Sequence, residues 1–93
     1  MIRLNCFFQA GEGDIEYRDA LRAAVSLAEK SRNHHGCIAY DVYVSTTRSD
    51  VFMACVTWKD KESYDQHTAT PEYKRYYKIL TESGQLKIEQ FEF

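Results

Sequence analysis

At 93 residues the chain is sized for a single domain over 1–93, near the small end of what one core can stabilise, so association that buries more surface is physically favoured. The net charge is −2, with Lys, Arg, Asp and Glu scattered along the chain; without a basic stripe to track phosphates, nucleic acid is excluded as a partner. No apolar run approaches the ~18 residues of a membrane span, and the N-terminus lacks a signal-peptide pattern, so the chain reads as cytoplasmic with no membrane partner.

The period of apolar residues changes repeatedly along the chain and marks its elements. From Ile2 to Gln9, Ile2, Leu4, Cys6 and Phe8 alternate with Arg3, Asn5, Phe7 and Gln9, which predicts a strand with a second face that is not wholly polar. Gly11-Glu12-Gly13 breaks it, and Asp14 is placed to cap a helix reaching about Arg32, with Tyr17, Leu21, Ala24 and Ala28 on one stripe. Asn33-His34-His35-Gly36 ends that helix. A second strand follows over about Cys37 to Thr46, then turn residues Thr47 to Asp50, then a third strand from Val51 to Trp58; the two form a hairpin.

In the third strand Phe52, Ala54, Val56 and Trp58 point one way, while Val51, Met53, Cys55 and Thr57 point the other. Both sets are largely apolar, so each face needs cover. Helices of one chain can cover only one side of so small an antiparallel sheet, which predicts a homodimer packed sheet on sheet.

Asp60 caps a short helix containing Tyr64 and His67. Thr70-Pro71 restarts the chain into another helix carrying Tyr73, Tyr76, Tyr77 and Leu80 at helical spacing, and Gly84 stops it. In the last strand, Gln85 to Phe93, the parity shared by Leu86 and Ile88 differs from that of Phe91 and Phe93, which suggests a bulge or a crossing between sheets. The order β-α-β-β-α-α-β is an α+β ferredoxin-like plait with its second helix broken in two. Cys6, Cys37 and Cys55 are odd in number and lack C-x-x-C spacing, which suits reduced thiols.

Thr57-Trp58-Lys59-Asp60, the run from His67 to Tyr73, Gly36-Cys37-Ile38-Ala39-Tyr40 and the opening Ile2-Arg3-Leu4-Asn5 together resemble the antibiotic biosynthesis monooxygenase family, in particular its small bacterial quinol monooxygenases. The resemblance covers about the whole chain. It implies a dimeric α+β barrel in which two plaits pack their sheets together and each keeps a pocket between its own sheet and helices.

Relatives of this fold include cofactor-free oxygenases, haem-degrading oxygenases and isomerases of small carbonyl compounds, so the reaction has to come from the site. No G-x-G-x-x-G follows a strand, and no H-x-x-x-H or H-x-x-E spacing offers iron or zinc ligands, which points to no cofactor and no metal. The substrate must then supply the electrons, as a quinol or polyphenolic aromatic does once a proton is removed and O2 accepts an electron.

His67 is the candidate base, because imidazole titrates in the useful range. Trp58 can stack on a planar ring, and Asn5 can donate its amide to a substrate oxygen. Tyr40, Tyr64 and Tyr73 can orient a phenolic ligand. Beside each stands a purely structural reading: His67 as a hydrogen-bonded structural histidine, Trp58 as core, Asn5 as a solvated side chain. His34 and His35 read as a loop pair, since adjacent residues rarely converge on one ion.

Three further readings stay open. Haem-degrading relatives use an asparagine on the first strand, a tryptophan ending the third and a histidine in the next helix, matched here by Asn5, Trp58 and His67. A small-carbonyl isomerase would need an anion site, for which Arg3 and Lys59 stand. A dimer that binds a small aromatic without turnover would need only the aromatic walls.

Overall fold

The computed structural model describes residues 1–11 and 14–93, with the side chains of 14–16 outside the description. Its elements are β1 (Ile2–Ala10), α1 (Asp14–Ser31), β2 (Cys37–Val44), β3 (Val51–Trp58), α2 (Lys61–Thr68), α3 (Pro71–Ser83) and β4 (Gly84–Glu92). The predicted break at Glu12-Gly13 and the capping role of Asp14 fall outside the described residues.

The four strands form one antiparallel sheet in the order β2-β3-β1-β4, the α+β ferredoxin-like arrangement expected from the element order. Strand alternation decides the core. Ile2, Leu4 and Phe8 of β1 and Phe52, Ala54, Val56 and Trp58 of β3 are buried on the face that carries the helices. Opposite them α1 presents Ala20, Ala24, Leu27, Ala28 and Ser31, a stripe whose small side chains let the helix lie close to the sheet. Tyr17 and Leu21, expected on the same stripe, pack at its margin. From α3, Tyr76 and Leu80 close the core one turn apart.

Among the described residues, no helix lies over the other face of the sheet. Phe7, Tyr43, Phe91 and Phe93 are 38%, 52%, 49% and 66% exposed, respectively, a large apolar content for solvent. A concavity of about 850 Å³ at one end of the sheet is lined by residues that include Phe7, Tyr43, Val51, Met53 and Lys87.

Two local expectations change. β4 pairs with β1 residue by residue from Gly84 to Glu92, so its parity switch is not a bulge or a change of sheet. Leu86 and Ile88 face the helices, whereas Phe91 faces the uncovered side, as a regular strand at a sheet edge allows. The bulge lies in β2 instead, between Cys37 and Ala39. With Ile38 as the extra residue, both Cys37, opposite Trp58, and Tyr40, opposite Val56, turn to the helix face.

Gly36 has φ +82°, and a Cβ placed there would collide with Ser63 Oγ. The position therefore needs glycine for its backbone conformation and for the close approach of α2. Cys6, Cys37 and Cys55 are free thiols. Among the described residues no helix is long and apolar enough to cross a membrane.

Candidate functional site

The aromatic site is assembled at the end of β3 by a short chain of local decisions. Trp58, the last residue of that strand, is 0% exposed on the helix face. Two residues on, the Asp60 carboxylate accepts the Ser63 backbone N–H at 2.9 Å and starts α2; this hydrogen bond holds the Asp60 pKa below the usual carboxylate range. Ser63 and His67 then fall one turn apart on the buried side of α2. Thr70 links this helix to the next: its hydroxyl donates to the His67 carbonyl at 2.7 Å and accepts the Tyr73 N–H at 3.2 Å. With Pro71 in the first turn of α3, the relation between His67 and Tyr73 is fixed by the backbone.

His67 is the hub. Its ring lies 4.6 Å from the Trp58 indole, 5.1 Å from Tyr73, 5.7 Å from His34 and 5.8 Å from Tyr40, measured between centroids. It is buried, and burial, followed by the neighbouring His34, pushes its pKa down to about 4. The ring is therefore neutral at pH 7 and able to accept a proton. Its Nδ1 and the indole Nε1 of Trp58 are buried without a hydrogen-bond partner, as is the Ser31 hydroxyl at the end of α1. An unpartnered buried polar atom costs about 1–3 kcal/mol, so a pair of them in touching rings is an arrangement that a polar ligand would relieve.

Around this hub are phenols that stay protonated. Burial pushes the hydroxyls of Tyr40, Tyr73 and Tyr76 well above the ordinary range and raises Tyr64 as well. Tyr64 and Tyr73 are close enough for each hydroxyl to influence the other's ionisation. Such groups offer O–H donors to a developing oxyanion without themselves carrying charge. The Cys6 thiol is pushed up to about 12 by burial and, less, by Cys55, and remains a neutral wall of the same region.

Of the residues expected from the sequence, the structure brings together His67, Trp58, Tyr40 and Tyr73, with Tyr64 beside Tyr73. Asn5 does not join them. It pairs with Cys55 and Glu89 on the uncovered face, while its neighbours Leu4 and Cys6 face the helices. The strand's two-residue period puts Asn5 across the sheet from His67, so the set of Asn5, Trp58 and His67 matched to haem-degrading relatives does not share one cavity. Arg3 lies on the same far face and Lys59 is exposed, which leaves the isomerase reading without a converging anion site.

Cys6 and Tyr76 also border this region; strand parity and helical spacing put them on apolar faces, with no signal that ties either to a site. His34 had no signal beyond being a loop histidine. Among the described residues no group of three or more His, Cys, Asp or Glu side chains is placed to hold a metal ion.

The fold is a ferredoxin-like α+β plait that holds a buried histidine against a tryptophan between its sheet and its helices. The chain belongs to the antibiotic biosynthesis monooxygenase family, whose model matches residues 1–79. A Bacteroides thetaiotaomicron protein described as a possible oxidoreductase shares 41% identity with it, with a TM-score of 0.91 over 99% of this chain and 96% of that one. The protein PA3566 from Pseudomonas aeruginosa superposes with a TM-score of 0.88 at 24% identity, covering 99% of this chain and 92% of that one. A protein described as an antibiotic biosynthesis monooxygenase superposes at 0.86 and 20% identity over 100% and 98% of the two chains; these last two likenesses speak to the fold. No curated protein matches the chain.

Proposed function

We propose that the protein is a cofactor-independent monooxygenase that oxidises a small quinol or polyphenolic aromatic with O2. The observation that carries this reading is the neutral, buried His67 with an unpartnered Nδ1, held against the Trp58 indole and walled by protonated tyrosines. A planar substrate that displaces part of this packing and seats against the rings would meet π-surface, a base and O–H donors in a region screened from water.

In the reaction His67 takes a phenolic proton. With an imidazolium pKa of about 4 against about 10 for an ordinary phenol, this transfer is uphill by about 8 kcal/mol in isolated terms. The quinolate–imidazolium pair and the phenol donors offset part of that cost, and substrates with more acidic hydroxyls are favoured. The quinolate gives one electron to O2, and the semiquinone and superoxide recombine at a ring carbon. His67 returns a proton to the peroxide; the O–O bond breaks as the ring carbon gives up its hydrogen, one oxygen stays on the ring and the other leaves as water. A dihydroxyarene plus O2 thus yields a hydroxyquinone plus water, with all four electrons drawn from substrate.

The homodimer belongs to the same reading. Phe7, Tyr43, Phe91 and Phe93 on the uncovered sheet face support a second copy packing there, since this face is the one that the chain's own helices do not cover. The three free thiols suit a reducing, cytoplasmic setting.

Oxygen uptake with menadiol, dihydroxynaphthoquinols and anthrones tests the proposal. Turnover of at least one of them that falls about 10²-fold or more in His67→Ala supports it. Equal uptake by the two proteins removes His67 as base, and no uptake from any of these substrates favours a non-catalytic aromatic binder.

A further inference from the structure

We infer that His34 is the exit for the proton that His67 takes up, a relay joining the buried base to solvent. The inference rests on the reading of His67 as the base.

A buried base exchanges its proton with bulk water during turnover only if that proton has a route out. Four rings surround His67: Trp58 from β3, Tyr40 from β2, Tyr73 from α3 and His34 from the segment between α1 and β2. Indole does not titrate, and the two phenols are pushed far above neutrality by burial. Of the four, only His34 brings a second imidazole, a ring whose two nitrogens can donate and accept a proton in turn. His34 is also half-buried, with one side toward His67 and part of its surface open.

Its placement is held from both directions. The His34 backbone N–H donates to the Ser31 carbonyl at 2.9 Å, and its own carbonyl accepts the Cys37 N–H at 3.2 Å. Next to it, Gly36 admits Ser63 at a distance that no side chain would allow, docking α2 against the same loop and so setting His67 beside His34. The ring centroids are 5.7 Å apart with planes at 58°, a spacing at which a proton passes between imidazoles on a small ring rotation or across one solvent molecule. The neighbouring His35 is exposed and lies toward Asp60, so the two histidines of the loop differ in role.

The relay conserves protons. His67 accepts one from the substrate hydroxyl and passes it to His34, which releases it to bulk; the reverse path supplies the proton that leaves in water. Positive charge on both rings at once is disfavoured, since His34 lowers the proton affinity of His67.

The test uses two readouts on the full chain. By NMR of protein labelled with 15N, exchange of the His67 ring N–H with water slows about tenfold or more in His34→Gln, while His35→Gln matches wild type. Exchange unchanged in His34→Gln overturns the relay whether or not any substrate is known. With a quinol that supports oxygen uptake, His34→Gln lowers kcat about tenfold at unchanged KM, and added imidazole restores it. Full kcat in His34→Gln with loss in His67→Ala overturns the relay and leaves the base in place; full kcat in both removes the base as well.

Discussion

The imidazole of His67 lies against the indole of Trp58, with ring centroids 4.6 Å apart and planes tilted by 34°. Both rings are buried, and each has a nitrogen without a hydrogen-bond partner. Because Trp58 is the only tryptophan in the chain, the protonation of His67 has a built-in optical reporter. Charging the imidazole beside the indole perturbs its emission, so the fluorescence titrates with a midpoint near 4, where burial and His34 have pushed the His67 pKa. Emission scans from pH 7 downward check this. The step disappears in His67→Gln.

The same depression makes the protein sensitive to acid in a defined window. The unfolded chain binds the His67 proton near pH 6.5 and the folded chain only near 4, so the unfolded state holds more protons between these values and stability falls as pH drops. The gap between these two values corresponds to a loss of about 3 kcal/mol by pH 4, at about 1.4 kcal/mol per pH unit. Asp50, held low chiefly by Arg48, and Asp60, held low by the Ser63 N–H, lose their contributions only at still lower pH. Urea unfolding at pH 7, 6, 5 and 4.5 measures the slope, which His67→Gln flattens.

Gly36→Ala is expected to destabilise by more than about 1 kcal/mol, the cost of a side chain at positive φ, since its Cβ would also run into Ser63. The clash is with the helix that carries His67. Thermal unfolding reports the loss of stability, and the Trp58 emission reports the displaced ring even in the folded state.

Thr70→Val removes both hydrogen bonds that join His67 to Tyr73, at 2.7 and 3.2 Å. Loss of the cap costs about 1 kcal/mol. The larger consequence is positional: the His67 ring signals in NMR broaden or double as the α2–α3 junction loosens. A variant with sharp, unshifted His67 signals would show that packing alone holds the ring.

Sedimentation of wild type at tens of micromolar should give a dimer, and Phe7→Glu should give a folded monomer, because a charge in the middle of the uncovered sheet face opposes sheet-on-sheet packing without touching the helix-side core. Equal sedimentation of both proteins would place the interface elsewhere.

The chain's own pattern determined the element order, the capping of α2 by Asp60 and of α3 by Thr70, and the split of β3 into two apolar faces. These are local: a carboxylate or hydroxyl finds an N–H two or three residues away, and side chains in a strand alternate whatever surrounds them. It also marked His67, Trp58, Tyr40 and Tyr73, because chemistry-bearing residues at helix starts and strand ends are visible as such. Tertiary structure alone decided their company. Asn5 is lost to the far side of the sheet by a parity readable in β1 but not assignable to a face until the helices are placed. Tyr40 is turned to the helix side by a bulge at Ile38 that no residue pattern announces. His34 reaches His67 only because Gly36 lets α2 approach the loop. Contacts between distant segments depend on how faces pack and registers shift, and those are properties of the assembled sheet and helices rather than of any local stretch of sequence.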